Sequence, residues 1–99
     1  MDNLDSIIHQ PVRLRIMAVL SRISHEEEAD FTYLKRLLEV TDGNLGSHLL
    51  KLEQAGYIEI KKEFVNRKPK TFIRASGKGR DAFRDHVRAL RQIVDSEEA

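Results

Sequence analysis

Apolar positions along the chain recur with two different periods, and the change of period divides it into elements. Leu4, Ile7 and Ile8 form a short stripe that predicts one or two helical turns. From Pro11, a residue well tolerated at the first position of a helix, Val12, Ile16, Val19, Leu20 and Ile23 recur at three- and four-residue steps, predicting a helix over about 11–24. His25–Asp30 is an acidic run and reads as a solvated connector, with Phe31 in a short extended segment. Thr32 is placed as the cap of a second helix, Tyr33–Val40, with Leu34, Leu37 and Leu38 inward. A third helix lies between a Thr41 cap and a Gly56 stop, and buries Leu45, Leu49, Leu52 and Ala55. After Gly56 the period becomes two. Tyr57, Ile58, Ile60 and Phe64 interleave with Glu59, Lys61 and Lys62, and Thr71, Phe72 and Ile73 make a matching run. Asn66 favours a turn and Pro69 cannot donate to a ladder, so a β-hairpin is predicted with its tip at about Asn66–Lys70. Ser76 caps a last helix to about residue 95, on which Phe83, Val87, Leu90 and Val94 form a heptad-like seam with Ala82 and Ile93 alongside.

Charge sharpens this outline. The net charge of +1 conceals a concentration: residues 61–80 hold eight Lys and Arg against Glu63 alone, while residues 1–60 hold six against ten acids. A cationic window of this kind marks a local polyanion site better than a uniformly basic chain would. The third helix adds a complementary feature. Opposite its leucines it carries Asn44, Ser47, His48 and Lys51, a polar face that suits the major groove of DNA. With the second helix bracing it across a tight turn, the pair reads as a helix-turn-helix over about 32–56. The hairpin tip, with Arg67, Lys68 and Lys70, is too basic for packing and fits phosphates or a narrow minor groove, as do Lys61 and Lys62 on its first strand.

Other chemistries are poorly served. There are no cysteines, which removes disulfides, thiolate metal sites and cysteine nucleophiles. The acidic run beside His25 lacks a rigid scaffold for a metal, and no cofactor is expected. Gly77-Lys78-Gly79 lacks the spacing of a phosphate loop. His9, His25, His48 and His86 are scattered over four elements without a legible nucleophile or acid–base pairing, so an enzyme is not expected. No apolar run approaches the ~20 residues of a membrane span, and the acidic start lacks a signal peptide's basic region. The expectation is one cytoplasmic domain over residues 1–99, mainly α with a small β-hairpin.

The wording of the sequence carries a resemblance as well. PVRLRIMAVL, DFTYLKRLLEVTDGNLGSHLLKLEQAGYIEI and KPKTFIRASGKGRDAF together resemble the small winged helix-turn-helix transcriptional regulators near the MarR and ArsR groups. The most specific part is TDGNLGSHLLKLEQAGYI. The resemblance implies a three-helical core, a two- to three-stranded wing over about 57–75 and a C-terminal dimerisation helix over about 76–95. It implies a recognition helix over 42–55 with Asn44, Ser47, His48 and Lys51 facing bases or phosphates. It implies wing contacts from Arg67 and Lys68, with Lys61, Lys62 and Lys70 neutralising flanking phosphates. The partner would be double-stranded DNA, a pseudo-palindromic operator bound by a homodimer paired through Phe83, Val87, Leu90 and Val94. The alternative is a winged-helix module that binds protein instead. Two departures stand out: the cysteine-rich metal sensor of many ArsR-like proteins is missing, and Ala75-Ser76-Gly77-Lys78-Gly79 replaces the usual Leu-Thr-x-x-Gly, an extra glycine expected to loosen that junction.

Overall fold

The computed structural model describes residues 4–96. Its order is α1 (Pro11–Arg22), β1 (Ala29–Asp30), α2 (Phe31–Leu38), α3 (Asp42–Gln54), β2 (Ile58–Val65), β3 (Lys68–Ala75) and α4 (Gly77–Ser96). The strands form an antiparallel sheet in the order β1-β3-β2. This is the winged helix fold, mostly helical, with a three-stranded wing.

Most boundaries have a visible chemical cause. Pro11 opens α1, and the Gln10 side chain accepts the Arg13 N–H at 2.9 Å. Arg80 of α4 closes α1, its guanidinium donating to the carbonyls of Ser21 and Ile23 at 3.3 and 3.0 Å, groups a helix end leaves unbonded. Thr41 caps α3 as expected, its hydroxyl accepting the Asn44 N–H at 3.0 Å, and Gly56 follows the helix at φ 81°. Ser76 caps α4: its hydroxyl accepts the Gly79 N–H at 2.9 Å and donates to the Gly56 carbonyl at 2.7 Å. Ile8, Ile16, Met17, Leu20, Leu34, Leu45, Leu52 and Ile73 are the fully buried centre.

Four local expectations change. The cap of α2 is Asp30, which accepts the Thr32 N–H at 2.7 Å; Phe31 therefore begins the helix and Thr32 lies inside it. The extended residues are Ala29 and Asp30, so the end of the acidic run is a third strand paired with Ile73 and Phe72. Leu37, expected inward, is exposed on α2. The hairpin tip is tighter than Asn66–Lys70: only Asn66 and Arg67 turn, and β3 already starts at Lys68. Pro69 therefore sits in the ladder opposite Phe64. It is tolerated because β1 ends before reaching it, so the edge where its N–H is missing has no strand to bond.

The wing–helix junction is tight at Gly79, whereas a Cβ on the extra glycine, Gly77, would meet nothing within 4 Å. A Cβ on Gly79 would lie 1.9 Å from the Tyr57 carbonyl oxygen, the same oxygen that accepts the Ser76 N–H at 3.0 Å. Gly79 is what lets α4 approach the start of β2 this closely.

The N-terminal segment makes one helical turn, the His9 N–H donating to the Asp5 carbonyl at 2.7 Å. Asp5 folds it, its carboxylate accepting the N–H groups of Ile7 and Ile8 at 2.8 and 3.1 Å. His86 on α4 then fastens it, Nδ1 accepting the Asp5 N–H at 3.0 Å. That geometry places the His86 proton on Nε2, 3.3 Å from His9 Nδ1. His86 is only 1% exposed, and burial, reinforced by His9, lowers its pKa against a smaller opposing pull from Asp5. The Tyr57 hydroxyl donates to the Asp5 carboxylate, and burial together with this bond pushes the phenol up to about 12. Burial acts to raise the Asp5 pKa, but the bonds from Tyr57, Ile8 and Ile7 outweigh it and leave it lowered.

Candidate nucleic-acid interface

The α3 helix buries Leu45, Leu49 and Leu52 and presents Gly43, Asn44, Ser47, Leu50, Lys51 and Gln54 to solvent. Asn44, Ser47 and Lys51 thus lie on its open side, as the sequence indicates. His48 does not share that position. It is half-buried, its Nδ1 is 3.1 Å from Arg13 Nη1, and burial and the guanidinium together lower its pKa. Arg13 is a brace: it also donates through Nε to the Ile7 carbonyl. With Nδ1 engaged, only Nε2 of His48 is left to meet a ligand. Leu50 and Gln54 were absent from the sequence-based set; the step of three from Ser47 to Leu50 and from Lys51 to Gln54 was the signal that could have found them.

Beside α3 runs the wing. Phe31, Gly46, Leu49, Leu50 and Glu53 line one wall of a cleft of about 520 Å³, and Ile60, Lys62 and Thr71 line the other. The cleft sets one face of the hairpin against the Gly46–Leu50–Glu53 edge of α3, next to the helix's open side. Side chains alternate along a strand, so the residues sharing that face with Ile60 and Lys62 are Phe64, and Pro69 and Thr71 opposite. It bears no carboxylate beyond Ile60.

The other face is different. There Arg74 meets Glu59 at 2.7 Å, Lys61 lies between Glu28 at 3.1 Å and Glu63 at 3.4 Å, and Lys70 is 3.6 Å from Asp30. The flanking carboxylates hold the pKa values of Lys61 and Arg74 above their usual ones. Exposed pairs of this kind contribute little stability, but they spend the cationic charge internally. The acidic run at 25–30 and the basic window at 61–80 are therefore partners across the sheet. Among the described residues Lys62, Arg67 and Lys68 have no ion-pair partner. The five wing cations expected from sequence split into three unpaired and two paired.

Arg67 is also conformationally unusual. Asn66 and Arg67 form the turn at φ 53° and 66°. Asparagine visits this region readily, whereas arginine does so at a cost of about 1–2 kcal/mol that glycine would avoid. An arginine at the outermost point of the hairpin, in a glycine conformation, presents a cation where a stabler residue was available.

The expected pairing seam on α4 is divided. Gly79, His86 and Ala89 face the core, Phe83, Val87 and Leu90 are half-buried, and Val94 is 60% exposed. From Arg91 to Ser96 every residue of α4 is exposed, so its last turns extend past the core. Among the described residues no group of three or more His, Asp or Glu side chains is placed to hold a metal ion, and no helix is long and apolar enough to cross a membrane.

A model of the winged helix DNA-binding domain matches residues 12–94. An uncharacterized protein of Methanocaldococcus jannaschii is 40% identical over 87 residues, which is 88% of this chain and 91% of that protein. The structure of a transcriptional regulator homologue from Pyrococcus horikoshii OT3 superposes with a TM-score of 0.86 at 28% identity, covering 96% of this chain and 91% of that one. A homodimeric winged helix-turn-helix DNA-binding domain from Mycobacterium bovis, a possible ArsR-family transcriptional regulator, shares the fold at a TM-score of 0.62 and 20% identity, over 94% of this chain and 75% of that one.

Proposed function

Because the chain belongs to the winged helix DNA-binding domain family, we propose that it is a cytoplasmic, sequence-specific regulator of transcription that binds duplex DNA as a homodimer. The observation that carries the reading is the pairing of α3 with the wing: α3 exposes Asn44, Ser47 and Lys51, and across the cleft on its Gly46–Leu50 edge stands a wing face that carries Lys62 and no carboxylate past Ile60. In this reading α3 enters the major groove. Asn44 offers the paired donor and acceptor that match adenine, and Ser47 and Lys51 meet base edges or phosphates. His48 contributes through its remaining nitrogen, held in place by Arg13. Lys62, Arg67 and Lys68 neutralise the flanking backbone. Lys61 and Lys70 join them only by exchanging their carboxylate partners for phosphates.

The homodimer is supported by the exposed end of α4. Two copies paired through Phe83, Val87, Leu90 and Val94 would present two α3 helices to successive major grooves of a pseudo-palindromic operator. Val94→Asp with Leu90→Asp should leave the monomer folded and shift sedimentation toward a single copy. An unchanged mass would remove this face from the interface.

Selection of bound sites from a random duplex library, with affinity measured over rising salt, tests the whole reading. The expected result is an inverted-repeat site and affinity falling linearly on a log–log salt plot. Absence of binding to any duplex at low salt would overturn it and leave the wing to an acidic protein partner.

A further inference from the structure

The wing's acid-free face carries a residue that electrostatics does not explain. Phe64 is 79% exposed, more than any other large apolar side chain among the described residues. It stands two residues before the Arg67 turn, paired across the hairpin with Pro69, and shares its face with Lys62 and Thr71. A ring left in water at the end of an arm, next to unpaired cations, calls for a partner with apolar surface set between negative charges.

We propose that Phe64 is an apolar DNA contact, its ring lying against the deoxyribose and base edges of the flanking minor groove while Lys62, Arg67 and Lys68 meet the phosphates on either side. The inference rests on the DNA reading above and adds to it a grip that salt does not weaken. Three features favour DNA over another protein surface. No carboxylate lies on this face past Ile60, whereas the opposite face is populated by Glu59, Glu63, Glu28 and Asp30. Ile60, Lys62 and Thr71 of this face line the cleft beside α3, and Phe64 continues the same face outward from it. The arm is long enough: Lys61–Val65, all exposed, extends roughly 16 Å at about 3.3 Å per residue. Apolar side chains are accepted in minor grooves because sugars form the walls there.

Salt titration separates this contact from the cationic ones. Phe64→Ala and Phe64→Leu are compared with the unaltered chain on a mixed-sequence duplex, with melting monitored to confirm that the fold is kept. Phe64→Ala should bind about ten- to a hundredfold more weakly at every salt concentration, along a line parallel to that of the unaltered chain. Phe64→Leu should recover part of the loss. Hydroxyl-radical footprints should lose sugar protection at the flank and keep it elsewhere. If the unaltered chain binds no duplex at low salt, the DNA reading fails and takes this contact with it. If it binds and Phe64→Ala binds equally well, or the flank protection persists, only the Phe64 contact is overturned. A change in the mass of the free protein on Phe64→Ala would likewise overturn it, by assigning the ring to a second copy.

Discussion

Where the N-terminal segment meets α4, His86 is buried, Asp5 and Tyr57 are half-buried, and each has a defined partner. At the far end of the wing, Lys62, Arg67, Lys68 and Phe64 stand in water with none among the described residues. Both regions combine ionisable and aromatic side chains, so composition does not tell them apart. Packing does. The first group is consumed in holding the chain's N-terminal segment to α4, and its substitutions should register in stability. The second contributes almost nothing to holding the fold, and its substitutions should register in binding. A wing variant that lost stability and binding together would break this division.

The largest effect is expected at Gly79. A Cβ there would meet backbone rather than a yielding side chain, 1.9 Å from the Tyr57 oxygen, so α4 must shift away from β2. Gly79→Ala should destabilise the protein by about 3 kcal/mol or more in denaturant unfolding, at the upper end of overpacking. A loss within experimental error would show that the junction has slack.

Titration of the buried groups comes next. The folded state holds His86, and to a lesser degree of enclosure His48, with lowered pKa values. Below about pH 6.5 the unfolded chain takes up protons that the fold resists. Stability is therefore complete above that range and falls as pH drops through it, by at most about 1.4 kcal/mol per pH unit for each proton. Asp5, also lowered, adds a second loss at more acid pH, below its ordinary value of 3.8. Tyr57 acts at the other extreme: raised from 10.0 to about 12, it keeps its proton in the fold while the unfolded chain loses it, so stability declines as pH rises across that interval. Melting temperature against pH should trace this plateau, and His86→Gln should flatten the shoulder near pH 6. An unaltered shoulder would place the acid sensitivity elsewhere.

At the wing the sign reverses. Arg67→Gly relieves a left-handed arginine and should raise stability by about 1 kcal/mol. The same change should weaken DNA binding for all sequences and reduce the salt slope by about 0.9, one phosphate's share. Gain in stability with no change in slope would mean that the turn is strained for another reason.

What could be read from sequence follows the same division. Helix periods, the Thr41 cap, the Gly56 stop, the Ser76 cap and the hairpin were legible because each is a local pattern written in neighbouring residues. The pairing of Glu28 with Lys61, the brace from Arg13 to His48 and the fastening of Asp5 by His86 join residues 33, 35 and 81 positions apart, and no local pattern announces them. Gly79 belongs with them: its need for a missing Cβ is explained by the Tyr57 carbonyl across the junction, not by its own helix. The exposure of Phe64 was not legible because alternation gives the face and says nothing of how far the core extends beneath it.

The smallest effect is also the sharpest test of which side of α3 works. Gly46 is half-buried in the cleft beside the wing, and a Cβ added there meets nothing within 4 Å. Alanine should therefore cost the protein nothing in packing and strengthen the helix by up to about 1 kcal/mol. The open space above Gly46 is where a duplex seated between α3 and the wing would pass. If it does, Gly46→Ala raises the melting temperature and weakens DNA binding, separating stability from affinity at a single methyl group. If melting and affinity both rise or affinity is unchanged, the duplex does not enter the cleft, and α3 meets it only through the Asn44, Ser47 and Lys51 side. A fall in melting temperature would instead mean that the cleft closes over Gly46 in solution, which would remove the space the wing and helix are argued to share.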